Sequence, residues 1–454
     1  MSHYKPYPVY KESGIEWMGP VPAHWEVFRI KSLIFSSQNG FWGEEPNGDE
    51  NDIPCARVAD FDRSNLTVGD NLPTIRNVPA FQRESRQVCR GDLLFEKSGG
   101  GEQTLVGAVV QYTGETPVIC SNFVAVIKCK SSINARWLCY ANAYLYSVGI
   151  NIRSIKQATG IQNIDSEDYF SERISVPSET EQGLIAGHLD RETARIDELI
   201  SRKNRFIELL REKRQALITH VVTKGFDPNA PMKDTGVAWL GDVPAHWDVT
   251  RVKYVISSIG QGWSPECESR PVDDGEWGVL KVGCVNGGVF RPTENKALPL
   301  TLTPRPELAL KKGDILVSRA NTRELVGGCT VVEQDFPLLM ICDKLYRLSV
   351  DNARANPAFL AALITVHGRR EVELEATGAS ASMVNIAQSV ILNLQVGLPP
   401  IQEQVAIIAS MASGTQRYDM LISTTESSIE LLKERRSALI TAAVTGKIDL
   451  RETG

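Results

Sequence analysis

Any chemistry in this chain has to come from a few polar residues set among glycines and aromatics. His24 lies in the run Trp17 to Trp25, and His246 lies in a near copy, Trp239 to Trp247. A histidine repeated in one context is a candidate general base. Its neighbours are Pro, Gly and Trp, however, and these more readily build a turn whose indoles pin an opening segment to a core. Asp92, Glu96 and Lys97 are residue types found in metal nuclease sites, but Glu96 and Lys97 are adjacent and point different ways on a strand. The copy has Asp314, Ser318 and Arg319, which cannot bind a metal alike. There is no P-loop and no Gly-x-Ser-x-Gly. Asn356 to Phe359 is faintly like the Asn-Pro-Pro-Phe of amino-methyltransferases, yet no glycine-rich S-adenosylmethionine loop accompanies it. The 9 cysteines and 6 histidines are scattered. No metal, cofactor or catalytic residue is expected, and reduced cysteines fit a cytoplasmic setting.

What remains are polar loops that suit nucleic acid. Gly91 to Phe95 and Gly313 to Val317 read as strands. The first leads into Lys97 and Ser98, the second into Arg319, Asn321 and Arg323, and each loop is followed by another apolar run. Arg and Asn pair bidentately with guanine and adenine in the major groove; a solvated hairpin tip is the bland alternative. A second loop carries Gly40 and Phe41 in one half and Gln261, Trp263 and Ser264 in the other, and it either presents side chains to a ligand or is simply a turn. A third carries Lys156, Gln157 and Gln162, matched by Ser380 and Ser382 in a stretch, Glu375 to Ile386, that reads as longer. All of these are DNA-contact candidates.

Long helices position the loops. Ser178 and Glu181 fit a capping box after Pro177. Leu189, Ile196, Leu210 and Leu217 then follow a seven-residue repeat interrupted by Lys203, with Leu199 and Phe206 at the partner position. Roughly 40 residues at about 1.5 Å each make a rod of about 60 Å. Glu208 to Thr219 recurs as Glu430 to Thr441 (430 − 208 = 222), and Glu181-Gln182 recurs as Glu403-Gln404. Met411, Tyr418, Leu432 and Leu439 carry the second stripe, interrupted by Thr425. The two helices are expected to pack on each other, with Leu199, Phe206, Leu210, Leu217, Leu421, Ile429, Leu432 and Leu439 as the partner-binding set. Short helices are expected over Asn134 to Tyr146 and Asn356 to Val366, and a last strand before each long helix. The order is domain, helix, domain, helix: 1–177, 178–223, 224–398 and 399–454.

The chain has 454 residues and a net charge of −6. That charge is awkward for a protein gripping DNA alone, because phosphates are neutralised by clustered Lys and Arg. No apolar run approaches the ~20 residues of a membrane helix.

Taken in this order and present twice, Trp17 to Trp25, Gly260 to Pro265, Leu398 to Gln404 and the ends of the long helices resemble the specificity subunit of Type I restriction-modification enzymes. The resemblance implies a mixed α/β fold, with two target-recognition domains separated by two antiparallel coiled-coil helices. It implies that each domain reads one half of a bipartite site in double-stranded DNA. It also implies a non-catalytic subunit that holds two methyltransferase subunits and, through that complex, ATP-driven restriction (translocase) subunits. Methylation would flip the target adenine into the methyltransferase. The loops depart from the family where all members differ, so the sequence read does not transfer. A duplicated scaffold without a DNA role is the rival, carried by the acidic net charge; a free-standing methyltransferase would have to bind its cofactor by itself.

Overall fold

The computed structural model describes residues 4–100, 104–158, 161–237, 240–368, 377–380 and 383–451. It divides into two compact units, Met1–Asn204 with Glu426–Gly454, and Arg205–Thr425. Each unit therefore contains one repeat and a part of both long helices.

The first unit is built on a five-stranded sheet in the order Ile34–Asn39, Val124–Cys129, Leu93–Glu96, Val109–Tyr112, Thr67–Val68. Neighbours are antiparallel except the last pair. Side chains alternate faces along a strand, yet Leu93, Leu94, Phe95 and Glu96 are all buried. Both faces are covered. Leu93 and Phe95 pack with Trp137 and Tyr140 of the helix Ala135–Ser147, whereas Leu94 joins Val110, Val118 and Val126 on the other side. This double burial explains the unbroken apolar run in the sequence.

In the second unit the sheet runs Ile256–Gln261, Leu345–Val350, Ile315–Ser318, Cys329–Val331. Ile315 and Val317 face Trp247 and Phe359, and Leu316 faces Val279 and Met340. The strand starts 34, 93 and 109 recur at 256, 315 and, within the strand, 331. The second short helix is Pro357–Leu363, shorter than its apolar pattern, and turns into a π-helical segment, Ile364–Gly368.

The long helices are Glu179–Lys224 and Ile401–Val444. Within the first unit, Asp197 meets Arg436 at 3.1 Å, and Ile185 and Ala186 share a core with Ala442–Val444. Within the second, Arg214 meets Asp419 at 2.8 Å, and Leu217 seats against Gly414. Rising numbers on one helix meet falling numbers on the other, so the segments run antiparallel. Thr425, the polar break in the second stripe, is satisfied by its own turn: its hydroxyl donates to Leu421 O at 2.7 Å.

The repeated Glu-Gln pair explains the repeated Trp turn. Glu181 accepts from Tyr7 Oη, from Trp25 Nε1 at 3.1 Å, and sits 2.9 Å from His24 Nε2. Glu403 accepts from Trp247 Nε1 at 3.0 Å and lies 2.7 Å from His246 Nε2. Of the expected capping box, the Ser178 Oγ bond to Glu181 N–H is present at 3.4 Å, while the Glu181 carboxylate serves the turn. Gln182 and Gln404 each accept from the N-cap of the neighbouring short helix, Asn134 N–H at 2.8 Å and Asn356 N–H at 2.7 Å. In the first unit the C-terminal tail completes the packing: Tyr10 Oη donates to Gly446 O at 3.0 Å and Asp449 N–H to Lys5 O at 2.8 Å.

Candidate nucleic-acid interface

In both units the third main-sheet strand runs past its last buried residue into a second, smaller sheet. In the first, Ser98–Gly99 pairs with Ile161–Ile164, which pairs in turn with Ile155–Ala158. In the second, Ala320–Asn321 pairs with Met383–Asn385, followed by Thr377–Ser380. The pair Ala158–Ile161 of the first hairpin recurs as Ser380–Met383 of the second, so the hairpins keep the 222-residue offset. The expected lengthening is therefore absent between the paired strand ends, although the second hairpin shifts register between Thr377 and Ser380 where the first does not. Two of the three candidate loops thus become one edge sheet, a pairing that spans more than 60 residues of chain.

Lys97 and Arg319 stand at the seam of the two sheets, and both are half-buried. Burial holds the Lys97 ammonium below the usual lysine value. Its neighbour Glu96 points into the core, bonded to Arg63 at 2.8 Å, and burial pushes its carboxyl up despite that arginine. This is not a metal-binding arrangement, and among the described residues no group of three or more His, Cys, Asp or Glu could hold a metal ion. Ser98 Oγ donates to Asn163 Oδ1 at 2.6 Å. Arg319 Nη1 donates to Asp343 O at 3.2 Å, and its guanidinium lies 5.7 Å from the Tyr346 ring centroid. Four buried polar atoms in a row, Ser318 Oγ, Arg319 Nε, Asn321 Nδ2 and Thr322 Oγ1, have no hydrogen-bond partner among the described residues. Such groups are costly when left unpaired, and these four fall within five consecutive residues of one loop. Arg323 is exposed just beyond them.

The other candidates divide. Lys156 is exposed and already paired with Asp165 at 2.6 Å. Gln162 is buried, with its carbonyl accepting from Val106 N–H at 3.3 Å, so Asn163 and Ile161 are the residues of that strand that face outward. Gln157 and Ser380 lie on the outer hairpin strands, and Ser382 falls outside the described residues. Gly40 and Gly262 are required by close approach: a Cβ would lie 2.2 Å from Ser121 O and 2.1 Å from Ile341 O. Phe41 and Trp263 are half-buried on secondary cores, with Arg86 and Arg305 over their rings at 5.9 and 4.3 Å, so this loop is a packed turn rather than a free aromatic display. Gln261 and Ser264 remain exposed, and both bond Asp343, which the Arg319 guanidinium also touches. The turn around Asp343 therefore joins two loops that the sequence shows as separate.

Sequence reasoning missed Ile161 and Met383. They sit at matching positions of the edge sheets and are 47% and 40% exposed. Strand parity could have found them, since Gln162, Ile164 and Val384 point inward. On the long helices, Leu210, Ile429 and Leu439 are buried, and Leu217 and Leu432 are half-buried. Leu199, Phe206 and Leu421 stay exposed at 40%, 45% and 38%, which leaves them open to a partner chain. His24 and His246 are tied to helix-start carboxylates, which accounts for them structurally. No helix is long and apolar enough to cross a membrane among the described residues.

No family model matches the chain. Over 206 residues, 45% of this chain, it is 31% identical to the Type I restriction enzyme EcoEI specificity subunit of Escherichia coli, and that match spans about a third (34%) of the relative's length. Over 449 residues it is 23% identical to the putative type I restriction enzyme MjaX specificity subunit of Methanocaldococcus jannaschii, covering 97% of this chain and 98% of that one. Among solved structures, a chain from work on complex assembly and conformational transition of the type I R-M system superposes with a TM-score of 0.70 at 17% identity, covering 94% of this chain and 99% of the other. The HsdS subunit from Thermoanaerobacter tengcongensis gives 0.53 at 16% identity, covering 94% and 98%. At these identities the solved structures establish the fold.

Proposed function

We infer that this chain belongs to the specificity subunits of type I restriction-modification enzymes, and that it reads DNA sequence for such a complex. One observation carries the reading furthest. The two units share a scaffold at a fixed 222-residue offset, yet the seam and edge-sheet residues differ, with Lys97-Ser98-Gly99 in one and Arg319-Ala320-Asn321 in the other. Keeping the frame and varying the tips is what two readers of different sequences require.

Residues 1–177 and 224–398 are then the two target-recognition domains, each reading one half of a bipartite site in double-stranded DNA. Residues 178–223 and 399–454 are the helices that set the unread spacer and dock two methyltransferase subunits, through which restriction subunits join. The exposed Leu199, Phe206 and Leu421 support a docking role for these helices. The net charge of −6 fits a subunit whose partners supply part of the phosphate grip. The chain itself supplies recognition, and the chemistry belongs to its partners.

The test is binding of the purified complex to duplex DNA over a salt series. Affinity should fall steeply as salt rises, through counterion release at the contacted phosphates. Binding that is absent, or indifferent to salt, would favour a scaffold without a DNA role.

A further inference from the structure

Lys97 and Arg319 are one position in two copies of a scaffold. Lys97 N–H donates to Phe123 O at 2.8 Å and Arg319 N–H to Lys344 O at 2.9 Å, each on the turn that enters the next main-sheet strand. Their carbonyls accept from Ile164 N–H at 2.8 Å and Ile386 N–H at 2.9 Å, each on the edge hairpin. Both backbone groups of each residue are thus consumed in locking main sheet to edge sheet. The basic side chain leaves from a fixed point, and among the described residues it makes no salt bridge in either unit. Arg319 is further oriented by Asp343 O and the Tyr346 ring, while its Nε stays without a partner.

Two DNA acceptors could use such groups. A phosphate can be met by an exposed, well-solvated cation at the surface. A side chain whose root is fixed between two sheets by both of its backbone bonds is instead suited to a directional acceptor pair on a base edge. On the reading that this chain recognises DNA, we propose that Lys97 and Arg319 are a single base-reading position used twice, each donating to the O6 and N7 acceptors of a guanine in the major groove. The recognised sequence then carries a guanine at the corresponding step of each half. The neighbours differ: Ser98, bonded to Asn163, stands where the second unit has Ala320, and Gly99 stands where it has Asn321, so the flanking bases need not match.

The experiment is to assemble the methyltransferase complex with wild-type, K97A and R319A chains. A randomised duplex pool is then methylated and the modified sequences are read. The wild-type motif is expected to hold a guanine in both halves. R319A should lose the preference for that guanine by about 5- to 150-fold in one half only, and K97A should do the same in the other half. The exchange K97R keeps a cationic donor at the first position and should keep its guanine. A wild-type motif lacking guanine in either half overturns the proposal without needing any variant. It is equally overturned if the alanine variants weaken all sequences alike and flatten the salt dependence, the signature of a phosphate contact. A wild-type complex that modifies no defined sequence would sink the DNA-reading function itself, a result distinct from the other two.

Discussion

Replacing Gly262 with alanine should damage the second unit, while the same change at Gly260, two residues earlier, should not. A Cβ at Gly262 would meet Ile341 O at 2.1 Å and Cys342 O at 2.4 Å. Both are backbone atoms, so no side chain can rotate away. The strand end and the turn must separate, and the bond from Trp263 N–H to Ile341 O, 3.0 Å long, goes with them. Overpacking costs about 1–3 kcal/mol and a lost hydrogen bond about 1 kcal/mol, which together give roughly 2–4 kcal/mol. For a unit of roughly 200 residues, each kcal/mol moves the melting temperature by about 2–4 °C, so G262A should lower it by about 4–16 °C. At Gly260 nothing lies within 4 Å of the built Cβ. There the loss of glycine's freedom in the unfolded chain makes G260A neutral, or stabilising by up to about 1 kcal/mol. Scanning calorimetry of the full chain separates these outcomes. The reasoning is refuted if G262A melts within 1 °C of wild type, or if G260A is as harmful as G262A. In the first unit G40A should behave like G262A, because its Cβ meets Ser121 O and Cys120 O.

E181A leaves Trp25 Nε1 and the Tyr7 hydroxyl without their acceptor in a buried site, at about 1–3 kcal/mol for each group, and should lower the urea midpoint of the first unit. Charge in the helix pair should act differently from charge on its exposed flank. L210E places a carboxylate at a position only 6% exposed and should prevent folding or assembly, and L432E should act the same way at its half-buried site. L199E and F206E should instead leave the melting temperature of the chain nearly unchanged and weaken only its association with methyltransferase, read by size-exclusion chromatography of the mixed subunits. Inserting four residues after Arg202 should change the unread spacer and leave both half-sites as they were, read by sequencing of methylated DNA.

The main-sheet strands and long helices were legible because each signal appears twice at one offset and because double burial makes the central strands unbroken apolar runs. The edge sheets were not, since Ser98 finds Asn163 across 65 residues of chain and no local pattern announces that pairing. Strand parity decided the fate of Gln162, a polar residue by type that the hairpin register turns inward, with Asn163 facing out. The sequence leaves the glycines of the aromatic loop open between a ligand-presenting loop and a turn; their cause is the carbonyl lying where a Cβ would be, a fact of tertiary approach. Leu199 and Leu210 share a heptad-like pattern, yet only Leu210 is buried. The sequence pattern shows an apolar stripe but not where the partner helix stops covering it. The tail Gly446–Arg451 packs on the first unit through bonds to the N-terminal segment, contacts that separation in sequence hides.

The central claim is that each repeat reads its own half of a bipartite site. The most direct measurement replaces residues 1–177 with the equivalent segment of a relative and sequences the methylated DNA of a host carrying the chimera. One half of the methylated motif should change, while the other half stays as in the parent. A chimera that altered both halves together would show that the site is read by one composite surface, and the account of two independent readers would be contradicted.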